Sequence, residues 1–373
     1  MQETELDHIT IKVFKSIAAL DKLVLRPINV IIGPNGSGKS NFISFFSFLR
    51  EVREGRLQEY VRRAGGAEQL LHFGSSITRE IHVALSFEQG VNQYDLSLRP
   101  TDDDSLYPAS ETVSFWDKKR YPDRPFDVDL DSRENGREAG ISNPASRRTA
   151  NWVRQRLSRW RLYHMHDTST NSPMRKTAQI NDNAYLRPDG SNLPAFLYLL
   201  QAKHPDAYGL IRRTVQRVAP FFDDFLLRPD PLNEDSIRLA WKHKGSDQYF
   251  SAAALSDGSL RFIALATLFF QPDRYRPSVI LVDEPELGLH PSAITLLASL
   301  VKQAATATQV ILSTQSSLLL DHFLPEDVLV ADRIDNGTQF TRLDPGPLAK
   351  WLEDYSLGQL WEKNELGGRP RPA

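Results

Sequence analysis

The sequence predicts an α/β fold organised around a phosphate-binding loop, and three observations lead to this prediction. Residues 33–40 read Gly-Pro-Asn-Gly-Ser-Gly-Lys-Ser directly after the apolar run at 30–32. A second apolar run, at 279–282, ends in two adjacent carboxylates, Asp283 and Glu284. From this second run onward, short apolar strands alternate with helical patterns, and this alternation is typical of a parallel sheet.

The glycine-rich residues 33–40 have the composition and the context of a phosphate cradle. Glycines let several backbone N–H groups converge on anionic oxygens where a helix begins, and a helical pattern starts at Lys39. In such a loop, Lys39 reaches the β- and γ-phosphates and the Ser40 hydroxyl binds Mg²⁺. An accidental match of this length arises in roughly one chain in a hundred, so the sequence predicts nucleotide binding.

The composition indicates a globular protein and excludes several kinds of chemistry. At 373 residues with 40% hydrophobic content, the chain is long enough for two or three domains or for one large α/β unit. It has no cysteine, which excludes disulfides, thiol catalysis and thiolate metal sites. The N-terminus is acidic, and no run approaches 18 uninterrupted apolar residues. We therefore expect a cytoplasmic protein without a signal peptide and without membrane contact.

The N-terminal part of the chain predicts strands, one helix and an antiparallel meander. Strands are expected at 9–14 and 23–32, a helix at 39–54, and the meander at 80–87, 93–99 and 111–116. The next residues, 117–142, have little periodicity and many Asp, Arg, Pro and Gly residues. We expect a loop there.

The rest of the chain predicts helices first and then the strand–helix alternation. Helical patterns occur at 151–160, 193–202, 206–218 and 260–270, with a short apolar stretch at 162–165. Strands follow at 279–282, 310–312 and 328–331, with helices at 291–305 and near 348–361, and a Gly-Arg-Pro tail is expected to be disordered. We expect a discontinuous nucleotide-binding core lobe at 1–142 and 275–373, with the meander at about 80–116, and an inserted helical lobe at 143–274.

Asp283 and Glu284 stand at the C-terminal end of a predicted strand, which is the edge of an α/β sheet where ligands bind. Asp283 is placed to hold Mg²⁺ together with Ser40, and Glu284 to orient and deprotonate an attacking water. An acidic pair after a strand is also common as a turn or a helix cap. The phosphate loop in the same chain favours the catalytic interpretation.

A further helix start, at Leu255-Ser256-Asp257-Gly258-Ser259, carries the residue types of another phosphate site. Ser256 or Asp257 is expected to act as the helix N-cap. A helix N-terminus with Ser and Gly also suits a γ-phosphate. Because one chain does not need two phosphate sites for one nucleotide, we expect a nucleotide shared between two copies.

The order of these motifs, followed by Leu312-Ser313-Thr314-Gln315-Ser316, resembles the ABC-type ATPase heads. Within them it is most similar to the RecF/SMC/OLD-like group, which includes stand-alone bacterial AAA-type predicted ATPases, and the resemblance covers nearly the whole chain. It implies a P-loop NTPase fold with an ABC-type head, in which a mixed sheet core is joined by an antiparallel β meander and a helical lobe.

The resemblance also implies a homodimer in which two heads lie head to tail around two ATP molecules with Mg²⁺. The implied nucleotide-binding residues are Asn35, Gly36, Ser37, Gly38, Lys39, Ser40 and Asn41 of one copy, with Ser256 and Gly258 of the other. The implied metal ligands are Ser40 and Asp283. The implied catalytic residues are Glu284 as general base, Gln315 at the switch position, Lys39 and Ser256, and residues 286–290 would cross between the copies.

Two positions depart from the family pattern. Gln315 stands where many relatives carry a histidine, and because glutamine cannot take a proton it would act only by hydrogen bonds. The glutamine that senses the metal in relatives has no clear counterpart, and His166 and Asp167 are the substitutes that the sequence offers. A structural role for both is the alternative.

The net charge of −2 gives no field that would attract nucleic acid, so any such contact needs a local patch. An arginine cluster interleaved with Trp152 and Trp160 provides one candidate, with Arg175 and Lys176 nearby, and the alternative is a solvated face paired with the acidic residues at 127–138. The arginines of this cluster are Arg147, Arg148, Arg154, Arg156, Arg159 and Arg161.

Two functions fit these features. The first is an ATPase that hydrolyses the β–γ bond of ATP and clamps DNA, in DNA repair or in defence against foreign DNA. The second is an ATP-gated regulatory protein that controls a separately encoded effector, such as a nuclease or a toxin. A transporter subunit is disfavoured by the sequence at 286–290 and by Gln315.

Overall fold

The computed structural model describes residues 5–120, 122–131, 136–144, 147–335 and 337–367. The chain divides into two compact units. The first combines the chain up to Trp160 with the chain from Leu324, and the second is Arg161–Phe323. The expected lobe boundaries near residues 142 and 275 stay a prediction.

The first unit begins with the predicted strands, helix and meander. Its elements are β1 (His8–Phe14), β2 (Ile17–Val24), β3 (Ile28–Ile32), α1 (Lys39–Glu54), α2 (Leu57–Ala64), β4 (Ile81–Phe87), β5 (Asn92–Pro100), β6 (Leu106–Phe115), β7 (Phe126–Asp129) and α3 (Arg148–Ser158). Strand β8 (Trp160–Tyr163) begins at Trp160 and continues into the second unit. The predicted helix at 39–54 is confirmed at both ends. The predicted strand at 23–32 is two strands, because Pro27 has no N–H for a ladder and Arg26 and Asn29 bond each other in a turn.

A six-stranded antiparallel sheet in the order β2-β1-β4-β5-β6-β7 confirms the meander. The expectation of a loop throughout 117–142 is wrong, because β7 adds to the edge of this sheet with Val128 opposite Val113. The short, acidic β7 buries only Val128, so its sequence shows little alternation. Glu111 also holds the turn that follows, since its carboxylate accepts hydrogen bonds from the N–H groups of Gly140 (2.6 Å) and Ile141 (2.9 Å).

Helix α1 packs a row of phenylalanines into the core of the first unit. Phe45 and Phe48 each lie 5.3 Å from the Phe14 ring of β1, measured between ring centroids. All three rings are fully buried, and burying one such side chain stabilises a fold by about 1.5–3 kcal/mol. This packing fixes the helix whose first turn follows the phosphate loop.

The second unit contains both sheet and helix. Its elements are β9 (Ala178–Gln179), α4 (Leu193–Lys203), α5 (Pro205–Val218), β10 (Phe222–Leu226), β11 (Pro229–Asp230), β12 (Asn233–Ile237), β13 (Ala240–His243), β14 (Tyr249–Ser251), α6 (Asp257–Phe270), β15 (Val279–Asp283), α7 (Pro291–Ala304), β16 (Gln309–Thr314) and α8 (Ser317–Leu320). Strands β15 and β16 are parallel, with Asp283 beside Ser313, which confirms the predicted alternation.

The strands β9–β14 are absent from the sequence prediction, which expects only helices in this part of the chain. They form two small three-stranded sheets in the orders β10-β13-β14 and β11-β12-β9. Each strand is five residues or shorter, and several are half exposed and charged, so the alternation of polar and apolar residues is weak.

The chain then returns to the first unit with β17 (Val328–Ile334), β18 (Gly337–Arg342), α9 (Pro345–Leu348) and α10 (Leu357–Glu362). Strand β17 is parallel to β3 and antiparallel to β18, so this part of the sheet is mixed. The helix predicted near 348–361 is instead two short helices, because Ser356 starts a new helix with a capping box. The tail at 368–373 lies outside the described residues, and no helix among those described is long and apolar enough to span a membrane.

Candidate nucleotide site

The phosphate loop joins β3 to α1 in the first unit. Gly36 and Gly38 have positive φ angles of 79° and 102°, a conformation that glycine adopts without strain. Gly38 is the N-cap of α1 and has no side chain to cap the helix, and the first turn contains no acidic residue. The N–H groups at the start of α1 therefore present a site for an anion.

The side chains of this loop fit a nucleoside triphosphate. The Lys39 ammonium group is buried and donates to the carbonyl oxygens of Gly33 (2.7 Å) and Pro34 (3.0 Å), so its positive charge lies within the loop. Among the residues that the structure describes, the buried Ser37 hydroxyl has no hydrogen-bond partner, although a buried polar group normally has one. The Ser40 side chain is exposed at the helix start. The loop thus places a cation and a buried hydroxyl at the N-terminus of α1.

A short chain of hydrogen bonds supports the start of α1 from behind. The Asn41 amide group donates to the Ser16 hydroxyl at 2.6 Å, and Ser16 and Thr338 share a hydrogen bond of 2.7 Å. The sequence predicts that Asn41 binds phosphate, and this role stays a prediction. In the structure its side chain bonds to Ser16 instead. Sequence reasoning did not find Ser16 and Thr338, because neither belongs to a motif.

In the second unit, β15 and β16 bring the acidic pair together with the switch residue. The Asp283 carboxylate accepts a hydrogen bond from the buried Ser313 hydroxyl, and the Glu284 N–H donates to the Ser313 carbonyl oxygen at 2.9 Å. Glu284 has a φ of 41°, which is uncommon for a residue other than glycine and often marks a functional position. The Gln315 amide group donates to the Glu284 carboxylate and so fixes its orientation.

Glu286 links the loop after the acidic pair to the switch segment. Its carboxylate accepts from the Thr314 hydroxyl and from the Gln315 N–H, the latter at 3.3 Å. Burial raises the pKa of Glu286, and the nearby Glu284 carboxylate adds to the rise against these hydrogen bonds. Glu286 is thus an anchor, while Leu287 and Gly288 are exposed.

The N-terminus of α6 is capped as the sequence predicts. The Ser256 hydroxyl accepts from the Ser259 N–H at 3.2 Å, and both Ser256 and Asp257 are exposed. Gly258 packs so closely on the next loop that a Cβ atom there would overlap the Gly288 carbonyl oxygen. The helix start and residues 286–290 therefore form one continuous surface.

The segment after β8 places a different histidine near the acidic pair than the sequence suggested. Partial desolvation lowers the pKa of His164, and the Asp283 carboxylate opposes this shift, so the two groups lie close enough to interact. The His166 ring lies 6.4 Å from that of His164, and Asp167 accepts hydrogen bonds from Ser169 in a local turn. A metal-sensing role for His166 and Asp167 stays a prediction.

The arginine cluster is engaged within the protein at one position and exposed at three others. Arg156 pairs with Glu5 (2.9 Å) and Glu88 (3.3 Å) and lies 4.6 Å from the Trp152 ring. Trp160 is buried, so it does not present a face for stacking on a base. The cluster members that stay exposed are Arg147, Arg148 and Arg159.

Comparison with known proteins decides the family. Residues 28–321 match the protein family described as "AAA domain, putative AbiEii toxin, Type IV TA system". This chain belongs to that AAA family. Two curated relatives of the AAA protein, from Lacticaseibacillus casei (strain BL23) and Lacticaseibacillus paracasei, are each named DNA replication and repair protein RecF. Each is 30% identical over 92 residues, and the match spans 25% of this chain and 23% of the relative.

Solved structures of SMC heads have the same fold as this chain. The SMC head bound to the C-winged helix domain of ScpA aligns with a TM-score of 0.61 at 16% identity, over 93% of this chain and 99% of that one. The SMC head with an extended coiled coil bound to the ScpA C-terminal domain, derived from Pyrococcus furiosus, aligns with a TM-score of 0.55 at 15% identity, over 94% and 99%. The predicted fold, an ABC-type P-loop head, is confirmed.

Each unit of this AAA protein contributes a chemically coherent set of groups. The first supplies the phosphate cradle with Lys39, and the second supplies Asp283, Glu284 and Gln315 at the end of two parallel strands. The Ser40 hydroxyl and the Asp283 carboxylate are each hard oxygen donors of the kind that Mg²⁺ prefers, and their role as metal ligands stays a prediction. A bound Mg²⁺ would neutralise charge that develops on the phosphates.

Proposed function

We propose that this protein binds ATP with Mg²⁺ and hydrolyses its β–γ bond. The carrying observation is Glu284, whose backbone N–H donates to the Ser313 carbonyl oxygen and whose carboxylate accepts from the Gln315 amide, in a backbone conformation that costs energy. A fixed carboxylate orients a water and accepts its proton, while Lys39 stabilises the phosphoryl oxygens. Gln315 cannot take a proton, so it acts by holding Glu284.

We further propose that hydrolysis requires two copies, with Ser256 and Gly258 of one copy facing the γ-phosphate held by the other. The exposed Ser256 hydroxyl and the helix N-terminus behind it support this arrangement. A single copy already has one phosphate site in its loop. The second site is therefore available to a partner.

Glu284→Gln tests hydrolysis and pairing together. This change keeps the shape of the side chain and removes the proton acceptor, so turnover should fall by about 10²–10⁴-fold while ATP binding is retained. With ATP, size-exclusion chromatography with light scattering should show a dimer. The exposed Glu353→Gln is the matched control and should keep wild-type turnover. Wild-type turnover in Glu284→Gln would contradict the assignment, and a monomer at saturating ATP would contradict pairing.

The proposed pathway is a DNA-associated clamp in repair or in defence against foreign DNA, supported by the relatives named for DNA replication and repair. Added duplex DNA should then raise ATP turnover. Replacing the exposed Arg147, Arg148 and Arg159 together by glutamine should remove the rise, with a smaller salt dependence of DNA binding. Arg156 is unsuitable for this test, since its pairs with Glu5 and Glu88 support the fold.

The second candidate is an ATP-gated regulator of a separately encoded effector, such as a nuclease or a toxin. The family description, which names a toxin of a type IV toxin–antitoxin system, supports it. Affinity capture of Glu284→Gln with ATP from its host would separate the two candidates. Recovery of one stoichiometric protein without DNA would favour the regulator, and recovery of DNA would favour the clamp.

A further inference from the structure

Arg175 fastens the chain immediately before Ser256. Its guanidinium group donates to the carbonyl oxygens of Ala252 and Leu255, the latter at 3.2 Å from two nitrogens, and pairs with the Asp257 carboxylate at 2.8 Å. Its Nε donates to the Thr168 carbonyl oxygen at 3.0 Å. The side chain is only 7% exposed, although its Asp257 partner is 66% exposed.

Arg261, one turn into α6, fastens the neighbouring loops. It donates to the carbonyl oxygens of Met165 (2.9 Å) and His166 (2.7 Å) after β8, and to that of Leu287 in the loop after the acidic pair. Arg261 is also 7% exposed. For a buried guanidinium group bonded to carbonyls, the cost of desolvation offsets much of the favourable energy of its hydrogen bonds. A contribution to stability alone is therefore a poor explanation for the burial of Arg261.

The two arginines act on parts of one surface. Arg175 holds residues 252–257 and Arg261 holds Leu287, while Gly258 and Gly288 touch directly between them. Guanidinium donors have fixed fork geometry, so several bonds from one group restrict backbone position strongly. The start of α6 and the 286–290 loop are thus prevented from moving independently.

We infer that Arg175 and Arg261 are positioning residues that set the Ser256 helix start and the 286–290 loop as one rigid surface for the partner copy. This inference rests on the proposed pairing. Neither arginine contacts nucleotide in this role. Preorganising a binding surface improves affinity because less ordering remains to be done on association. Removing Arg175 should therefore weaken pairing and leave ATP binding by the single copy intact.

Hydrogen exchange measures the rigidity without requiring a partner. In Arg175→Met, amides at 252–259 should exchange about tenfold faster or more in the single copy, since their loop loses its anchor. Arg175→Lys keeps the positive charge but lacks the forked donor geometry of the guanidinium group, so it should give a smaller increase in the exchange rate. The matched control is Arg212→Gln, which breaks a guanidinium–carboxylate pair of similar length (2.9 Å, to Asp224) in the same unit. Unchanged exchange at 252–259 in Arg175→Met would overturn the inference.

Pairing is measured in the Glu284→Gln background with ATP, by sedimentation at several protein concentrations. Adding Arg175→Met should raise the dimer dissociation constant by about tenfold or more, a change of about 1.4 kcal/mol. Adding Asp257→Asn, which leaves the buried arginine in place, should raise it less and covers the case in which Arg175→Met fails to fold. Equal dimer affinity with and without these changes would overturn the inference. If Glu284→Gln alone stays monomeric, pairing itself is wrong, and the exchange experiment still tests the anchoring.

Discussion

Gly36 and Gly38 of the phosphate loop differ in what an alanine substitution should do to ATP binding and to stability. Both have positive φ, where a non-glycine residue costs about 1–2 kcal/mol. A Cβ on Gly36 meets open space, whereas a Cβ on Gly38 would overlap the Thr338 hydroxyl. Gly36→Ala should therefore lose ATP binding with a modest loss of stability, and Gly38→Ala should lose both. Isothermal titration with ATP and urea unfolding of each variant measure the two effects; equal stability losses would contradict this.

Where a motif fixes the spacing, the sequence predicts candidate site residues, namely Lys39, Asp283, Glu284 and Gln315, and their chemical roles stay predictions. The structure brings Glu284 and Gln315 into direct contact. The residues that hold them could not be predicted. Ser313 stands beside Asp283 only because two parallel strands pair in this register.

Helix α2 shows how a distant residue completes a helix. Its N-cap, Arg56, provides no side-chain cap, and the buried Glu138 accepts from the N–H groups of Leu57 (2.9 Å) and Gln58 (3.0 Å) instead. The negative charge also suits the positive end of the helix. Glu138→Gln should lower the free energy of unfolding by about 1–2 kcal/mol. Urea unfolding measures the loss, and Glu59→Gln, an exposed acid in the same helix turn, should lose less than about 0.5 kcal/mol.

Glu111 makes the free energy of unfolding depend on pH. Desolvation raises its pKa above 4.5, and its hydrogen bonds from Tyr94, Gly140 and Ile141 only oppose this shift. The native state then holds the proton more tightly than the unfolded state, so the stability from Glu111 is complete below about pH 4.5 and falls as pH rises through the native pKa. The difference in free energy of unfolding between wild type and Glu111→Gln should shrink with rising pH. A constant or growing difference in urea unfolding would contradict the raised pKa.

At the scale of elements, long periodic segments could be predicted and short ones could not. The pattern at 39–54 matched α1 because its buried phenylalanines recur at helical spacing. Strand β7 depends on the edge that β6 offers and on buried Val128 alone, so its four residues carry little signal of their own. Residues 222–251 were missed for the same reason, since their strands gain stability mainly by pairing with each other.

For the whole molecule, motif order predicted the fold class because four separated motifs must converge in one ABC-type head. The partner could not be predicted, since a net charge of −2 gives no long-range field and Arg156 of the arginine cluster is engaged by Glu5, Glu88 and Trp152. The surface proposed to meet a partner is set by tertiary contacts such as that of Gly258 with Gly288.

The proposed pairing makes a specific prediction for mixtures of inactive variants. Lys39→Ala disables the phosphate loop and leaves the Ser256 surface intact, while Ser256→Arg blocks that surface and leaves the phosphate loop intact. Each variant alone should be nearly inactive. An equimolar mixture should recover about a quarter of wild-type ATP turnover, because half of the pairs are mixed and each mixed pair has one intact site of two.

The control mixture combines Lys39→Ala with Glu284→Gln. Under the proposed pairing, both residues act on the nucleotide of their own copy, so every site in a mixed pair retains one defect and turnover should not recover. Recovery that appears only with Ser256→Arg, and that increases with protein concentration, is the result expected of a site built from two copies. A Ser256→Arg mixture that stays at the mean of its two components would show instead that each copy completes its own site, with Ser256 acting only as the N-cap of α6.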